Sequence, residues 1–208
     1  MILIKGSKSP GSKKNWPGMG LMEVIELIEI RWHARGGQGG FTGAKLLGLA
    51  ASVFCNHYSQ AFPSFGPERR GAPVLGFTRI DNKAITDHSQ VYTCDYVVVL
   101  DETLMEAVDV TKGLKEGGII LINTKLSPDR FPFKGNVRVV TVDASAIAME
   151  ELGVPIANTA MLGAFAAVND LIGIEPILKA VDKGMPGALR ERNKKAIERT
   201  YGVVRGGK

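Results

Sequence analysis

Residues 27–56 read LIEIRWHARGGQGGFTGAKLLGLAASVFCN. From Leu27, the apolar Ile30, Trp32 and Ala34 alternate with Glu29, Arg31 and His33. That is the period of a half-buried strand. Gly36, Gly37, Gly39 and Gly40 end it, four glycines in five positions. The segment after them predicts a helix. Ala44, Leu47, Leu49, Ala51, Val53 and Phe54 give it an almost all-round apolar surface, so it must be buried on more than one side. Strand, glycine turn and buried helix open an α/β unit. They also pose a question: what approaches the glycine backbone so closely that side chains are excluded?

Downstream the same alternation of elements continues. Val74–Ile80 returns to strand character, and Asp81-Asn82-Lys83 predicts a hairpin turn into Ala84-Ile85. Tyr96–Leu100, Ile119–Ile122 and Val137–Val142 are apolar, largely β-branched runs typical of strands covered on both faces. Thr103 and Glu106 have capping-box spacing and predict a helix through Lys115, stopped by Gly117-Gly118. Ser145 starts a short helix that Gly153 and Pro155 end. Asn158 or Thr159 caps the apolar run TAMLGAFAAVNDLIG. Pro176 opens a short helix at a place where its missing N–H costs little, and residues 188–201 form a charged terminal helix. The pattern predicts a single α/β domain, Rossmann-like, with a mostly parallel sheet and helices on both faces. It spans residues 22–208. Residues 1–21, dominated by Gly, Ser, Lys and Pro, read as a loosely ordered extension. Ligands of such sheets bind beyond the carboxyl ends of the strands. That edge would carry Gly36–Gly40, Asp101 and Asn123-Thr124.

The chain has 208 residues, 45% of them hydrophobic, enough for one sizeable core. The net charge of +5 divides unevenly: +4 in residues 1–21, +6 in residues 183–208 and −5 between them. Basic ends without interleaved aromatics suit solvated tails or docking segments better than a nucleic-acid face. The longest apolar run, Leu46–Phe54, is too short to span a bilayer. The N-terminus lacks the layout of a signal peptide. A cytoplasmic protein with neither nucleic acid nor membrane as partner is expected. Cys55 and Cys94 form no CxxC, so the chain alone cannot house an iron–sulfur cluster or a structural zinc. His33, His57 and His88 show no metal-ligand spacing, and there is no GxSxG or HExxH. His33 reads as a strand spacer rather than a base. Asp101 is either catalytic or a cap for the following helix. No catalytic or metal residue is assigned.

A glycine turn entering a helix exposes backbone N–H groups and aims the positive helix end at an anion, most naturally a phosphate. The dinucleotide fingerprint is incomplete, because Thr42 stands where its last glycine belongs. No acid ends the next segment, HYSQAFP. A free-standing nucleotide-dependent reductase is therefore disfavoured, while a ligand-free tight turn stays open. A second loop, FPSFGPERRGAP, holds Glu68, Arg69 and Arg70 between glycines and prolines. Paired guanidiniums beside a helix N-terminus would make a polyanion site. The alternatives are a solvated turn, or an ion pair with Glu68 or a partner subunit.

IEIRWHARGGQGGFTGAKLLGLAA, FPSFGPERRGAPVLGFTRI, DYVVVLDETLME, GLKEGGIILINT and the NTAMLGAFAAV helix resemble the gamma subunit of the pyruvate:ferredoxin and other 2-oxoacid:ferredoxin oxidoreductases. The resemblance runs from about Met22 to about Tyr201. It implies oxidative decarboxylation of a 2-oxoacid with coenzyme A and reduction of ferredoxin. It also implies alpha, beta and delta partner subunits that carry thiamine diphosphate and iron–sulfur clusters, and an isolated gamma chain that is inactive. Pyruvate leads over branched-chain 2-oxoacids as substrate on the PERRGAPV loop. Carried onto this chain, it implies that Gly36, Gly37, Gly39 and Gly40 cradle a coenzyme A phosphate, with Thr42 donating at the helix start and Lys45 adding charge. Arg69 and Arg70 would hold the 3′-phosphate or the diphosphate. A purely structural subunit, whose loops serve interfaces, is the remaining reading.

Overall fold

In the computed structural model, residues 2–4, 26–64 and 69–206 are described. Most of the N-terminal extension, and residues 65–68 of the second loop with Glu68 among them, lie outside the described residues. Among the described residues seven strands make one sheet: β1 (Ile2–Ile4), β2 (Ile28–Arg35), β3 (Tyr58–Pro63), β4 (Pro73–Asp81), β5 (Cys94–Val99), β6 (Leu114–Asn123) and β7 (Arg138–Val142). Their spatial order is β1-β3-β4-β2-β5-β6-β7. Strands β2, β5, β6 and β7 are parallel, and β4, β3 and β1 add an antiparallel flank. The α-helices are α1 (Gly40–Leu49), α2 (Ala144–Leu152), α3 (Ala160–Val168), α4 (Ile174–Gly184) and α5 (Gly187–Gly206). This is the expected α/β class, and the glycine turn does join the central strand to the buried helix α1.

The period-two pattern of β2 sorts its side chains onto two cores. Ile30, Trp32 and Ala34 face the α-helices, where α1, α3, α4 and α5 pack over Val98, Leu121 and Val142. The other face carries Phe62, Phe77, Val97, Val99, Ile120 and Ile122. It is covered not by α-helices but by short 3₁₀ turns and loops that contribute Val91, Met105, Val108, Val110, Phe131 and Phe133.

Three local expectations need correction. The segment after Asp101 is a 3₁₀ turn over Glu102–Glu106, not a helix through Lys115. Asp101, not Thr103, is its cap, accepting from the Thr103 N–H at 3.0 Å. Burial of Val110 in the second core and a turn at Asp109–Thr111 then lead the chain into β6, so Lys115 and Gly117-Gly118 are strand residues. Ala84-Ile85 forms no second hairpin arm. Arg79 instead holds the carbonyls of Asp87 and Gln90, draping this segment as a loop. Tyr58–Pro63, read only as a segment lacking an acid, is strand β3. Both cysteines are free thiols; Cys94 is buried and Cys55 partly so. Burial pushes the Cys94 thiol up to about 11.

His33 faces the second core and is buried, accepting from Arg31 Nε at 3.0 Å through its Nε2. Burial first, then the Arg31 charge, lowers its pKa to about 3 against a weaker opposing pull from Asp109. The unfolded chain therefore takes up this proton before the folded one does. The contribution is complete above the ordinary histidine value and is lost as the pH falls toward the folded value. At pH 5 the loss is roughly 2 kcal/mol. His33→Gln keeps an acceptor for Arg31 and removes the titration. The fall in Tm between pH 7 and pH 5 should be smaller in this variant than in the unmodified protein, and equal falls in thermal unfolding would contradict the assignment.

Candidate functional site

The antiparallel pairing of β4 with β2 brings the two sequence motifs together. Arg35, the last residue of β2, pairs with Pro73, the first of β4. The loop entering β4 must therefore pass the glycine turn leaving β2. Gly36 and Arg70 form a β-bridge beyond the strand ends. The Gly36 N–H donates to the Ala72 carbonyl at 2.8 Å, and the Gly71 N–H donates to the Gly36 carbonyl at 3.0 Å.

This contact answers the question posed by the glycines. A Cβ on Gly36 would lie 2.3 Å from the Arg69 carbonyl oxygen. Gly39 has a φ of 72° and would clash with the Asn158 amide, whose nitrogen would lie 2.3 Å from an added Cβ. The close neighbours are the chain's own second loop and the start of α3. The backbone of the second loop accounts for Gly36, and the Asn158 side chain with a left-handed φ accounts for Gly39. The anion-binding potential rests on what the approach leaves exposed. Helix α1 begins with no side-chain cap and no acid in its first turn, so no carboxylate opposes an anion at its positive end.

Arg69 and Arg70 are both exposed. The Arg70 stem runs beside Gly37, with its Cγ 3.9 Å from where a Cβ would be. Among the described residues neither arginine ion-pairs with a carboxylate. Gly37 in turn lines a cleft of about 500 Å³ at the carboxyl ends of β2, β5, β6 and β7. The cleft's other wall carries Asp101, Glu102 and Asp143, and each is engaged. Asp143 caps α2, accepting from the Ala146 N–H at 2.9 Å, and Glu102 accepts from the Thr124 hydroxyl.

Residues 29–203 match the family model described as pyruvate ferredoxin/flavodoxin oxidoreductase. The chain belongs to this oxidoreductase family. It is 51% identical over 176 residues to the pyruvate synthase subunit PorC of Methanothermobacter thermautotrophicus, covering 84% of this chain and 94% of that one. It is 49% identical over 178 residues to the common gamma subunit of the pyruvate/ketoisovalerate oxidoreductases of Pyrococcus furiosus, covering 84% and 96%. The crystal structure of the pyruvate oxidoreductase subunit PORC from Thermotoga maritima is similar at a TM-score of 0.73 with 38% identity, covering 85% of this chain and 96% of that one. The chain is thus the gamma-type subunit of a 2-oxoacid:ferredoxin oxidoreductase.

In this oxidoreductase subunit, Asp101 organises the loop junction rather than standing free for catalysis. Its carboxylate accepts from Arg35 Nε at 3.1 Å, from Gln38 Nε2 at 2.9 Å and from the Thr103 hydroxyl at 2.6 Å. Burial raises the Asp101 pKa, but the bonds from Thr103 and Gln38 and the Arg35 charge outweigh it, so the net shift is downward. Arg35 also donates to the Gly71 carbonyl at 3.2 Å, clamping the second loop from below. Neither Arg35 nor Gln38 was picked out by pattern, because their partners lie 66 and 63 residues away. Asn158 closes the other side, donating to the Gly39 carbonyl at 3.1 Å. It also accepts from the Thr159 N–H at 2.8 Å, so it braces the turn and the start of α3 together.

Of the expected site residues, the fold unites Gly36 and Gly37 with Arg69 and Arg70. Gly39 and Gly40 form the start of α1. Thr42 is exposed on the first turn of α1 and Lys45 is half-buried one turn on. Among the described residues no ion pair joins Lys45 to a carboxylate and none brings it or Thr42 to the arginine pair.

Proposed function

We propose that this chain is the gamma subunit of a pyruvate:ferredoxin oxidoreductase (pyruvate synthase). That enzyme cleaves pyruvate with coenzyme A to acetyl-CoA and CO₂ and passes two electrons to ferredoxin. In this reading the chain binds the charged end of coenzyme A and packs against alpha, beta and delta subunits in the cytoplasm. Thiamine diphosphate and the iron–sulfur clusters sit on those partners, and the isolated chain is inactive. Residues 22–208 act as the working unit and residues 1–21 as an appendage.

The observation that carries the coenzyme A role is the bridge between Gly36 and Arg70. It sets the Arg69-Arg70 loop beside the glycine turn that leads into α1, and among the described residues neither guanidinium has a carboxylate partner; that donor set fits a phosphate. The residues that would hold the carrier are Gly36, Gly37, Gly39 and Gly40, with Thr42 and Lys45 along α1 and Arg69 and Arg70 on the facing loop. When bound, coenzyme A supplies the thiol that accepts the acyl group. This chain's residues bind and orient its anionic end and leave the redox chemistry to other polypeptides.

A second reading concerns the acid oxidised. The Pyrococcus relative is named as common to pyruvate and ketoisovalerate oxidoreductases. This subunit would then serve a branched-chain enzyme as well, with substrate choice made by the thiamine-bearing chains. The coenzyme A role is tested by steady-state kinetics of the assembled enzyme carrying Arg69→Ala/Arg70→Ala. The substrate is tested by assaying that enzyme on pyruvate and on 3-methyl-2-oxobutanoate.

A further inference from the structure

A second cavity, of about 440 Å³, lies on the sheet face that the α-helices leave uncovered. Leu75, Phe77, Val91, Leu104 and Val108 supply an apolar wall. Its size falls within the range of small-ligand pockets, roughly 300–1,000 Å³. It plays no part in the coenzyme A reading, because its floor is formed by side chains of β2 and β4 that point away from α1.

The floor carries a buried charge. Arg31 is 6% exposed. Its Nε donates to His33 Nε2 at 3.0 Å, and one Nη donates to the carbonyls of Val110 at 3.0 Å and Lys112 at 2.6 Å. All three acceptors are neutral, since burial and the Arg31 charge keep His33 unprotonated at ordinary pH. Among the described residues no carboxylate ion-pairs with Arg31. Asp109 borders the cavity but is exposed; it accepts from the Thr111 hydroxyl at 2.6 Å and N–H at 2.9 Å and feels the Arg31 charge only as a lesser influence than these bonds. Neutral acceptors satisfy the hydrogen bonds of a guanidinium without cancelling its charge. Buried arginines are ordinarily paired, and the buried Arg79 of this same sheet is paired with Glu29.

We infer that this cavity is a binding site for a small monocarboxylate with an aliphatic or aromatic body. The carboxylate neutralises Arg31, and the body lies among Leu75, Phe77, Leu104 and Val108. Arg31 is the buried cation of the lining, and the exposed Lys112 and Asp109 at the border are of opposite charge, which favours a monoanion over a dianion. The apolar wall selects against short, fully hydrated acids such as acetate.

Phenylacetate titrated into the full chain, followed by amide NMR shifts and calorimetry, tests the inference. Saturable binding in the millimolar range or tighter is expected, with shifts centred on Leu75 and Val108. 2-Phenylethanol, which has the same body without the charge, should bind at least ten-fold more weakly. Val108→Trp fills the cavity without touching the contacts of Arg31. It should abolish binding while leaving the thermal unfolding transition in place. Arg31→Lys should weaken binding, and the filling variant decides the matter even where Arg31 variants fail to fold. No saturable binding, equal binding of the alcohol, or binding that survives Val108→Trp would each overturn the inference.

Discussion

Arg79→Ala is expected to lower the unfolding free energy by about 3–5 kcal/mol, the cost of removing one partner from a buried ion pair. Arg79 is 1% exposed and sits mid-strand in β4. Its Nε donates to Glu29 at 2.8 Å. Its two Nη groups reach Gln60 and the carbonyls of Asp87 and Gln90, and the guanidinium lies 5.4 Å from the centre of the Phe62 ring. One side chain thus ties together β2, β3, β4 and the loop after β4. Its loss leaves the Glu29 carboxylate buried without its cation and frees the loop carbonyls. Total stabilities of domains this size are about 5–15 kcal/mol, so the loss takes a large share. Urea unfolding measures it directly. Arg79→Met/Glu29→Gln, which removes both charges, should recover part of the loss. A cost below about 1 kcal/mol for Arg79→Ala would show that the network adds little beyond packing.

Arg69→Ala/Arg70→Ala in the assembled enzyme should raise the apparent KM for coenzyme A by about 10–100-fold and change kcat little. Hydrogen bonds to charged groups contribute about 1.5–3 kcal/mol each; both arginines are exposed, and solvent screening brings their joint effect below the sum of two such bonds. A change confined to KM is the signature of binding that is equal in ground and transition states. Salt adds a second arm. Raising ionic strength from about 0.05 to 0.5 M shortens the screening length several-fold. It should raise KM in the unmodified enzyme and much less in the variant. An unchanged KM would remove the coenzyme A site while leaving the family intact.

Much of the fold was legible because the two periods are clean. Ile30, Trp32 and Ala34 against Arg31 and His33 gave the central strand and both of its faces. The all-round apolar α1 followed from the same stretch. What failed were places where one long-range contact decides local structure. Capping-box spacing at Thr103 and Glu106 was outweighed by Asp101, whose carboxylate is also anchored to Arg35 and Gln38 of another strand end. Strand β3 was hidden because Ser59-Gln60 interrupts its apolar pattern and Pro63 ends it. At the site, the motifs GGQGG and PERRGAPV were read as two loops that lie close together. The antiparallel pairing of β4 with β2 is what joins them, and that pairing was not itself read from the sequence. The glycines were read first as room for a ligand. The structure assigns Gly36 to the Arg69 carbonyl and Gly39 to Asn158, contacts that no local pattern encodes.

The central claim is that the joined loops at residues 36–40 and 69–72 receive the anionic end of coenzyme A. The most direct measurement is an experimental structure of the assembled oxidoreductase with coenzyme A bound. The account predicts phosphate oxygens within about 3 Å of the Arg69 or Arg70 guanidinium, the distance of charge-assisted hydrogen bonds. It also predicts contact with the N–H groups that open α1. Phosphates seated on another subunit, with both loops of this chain untouched, would contradict it.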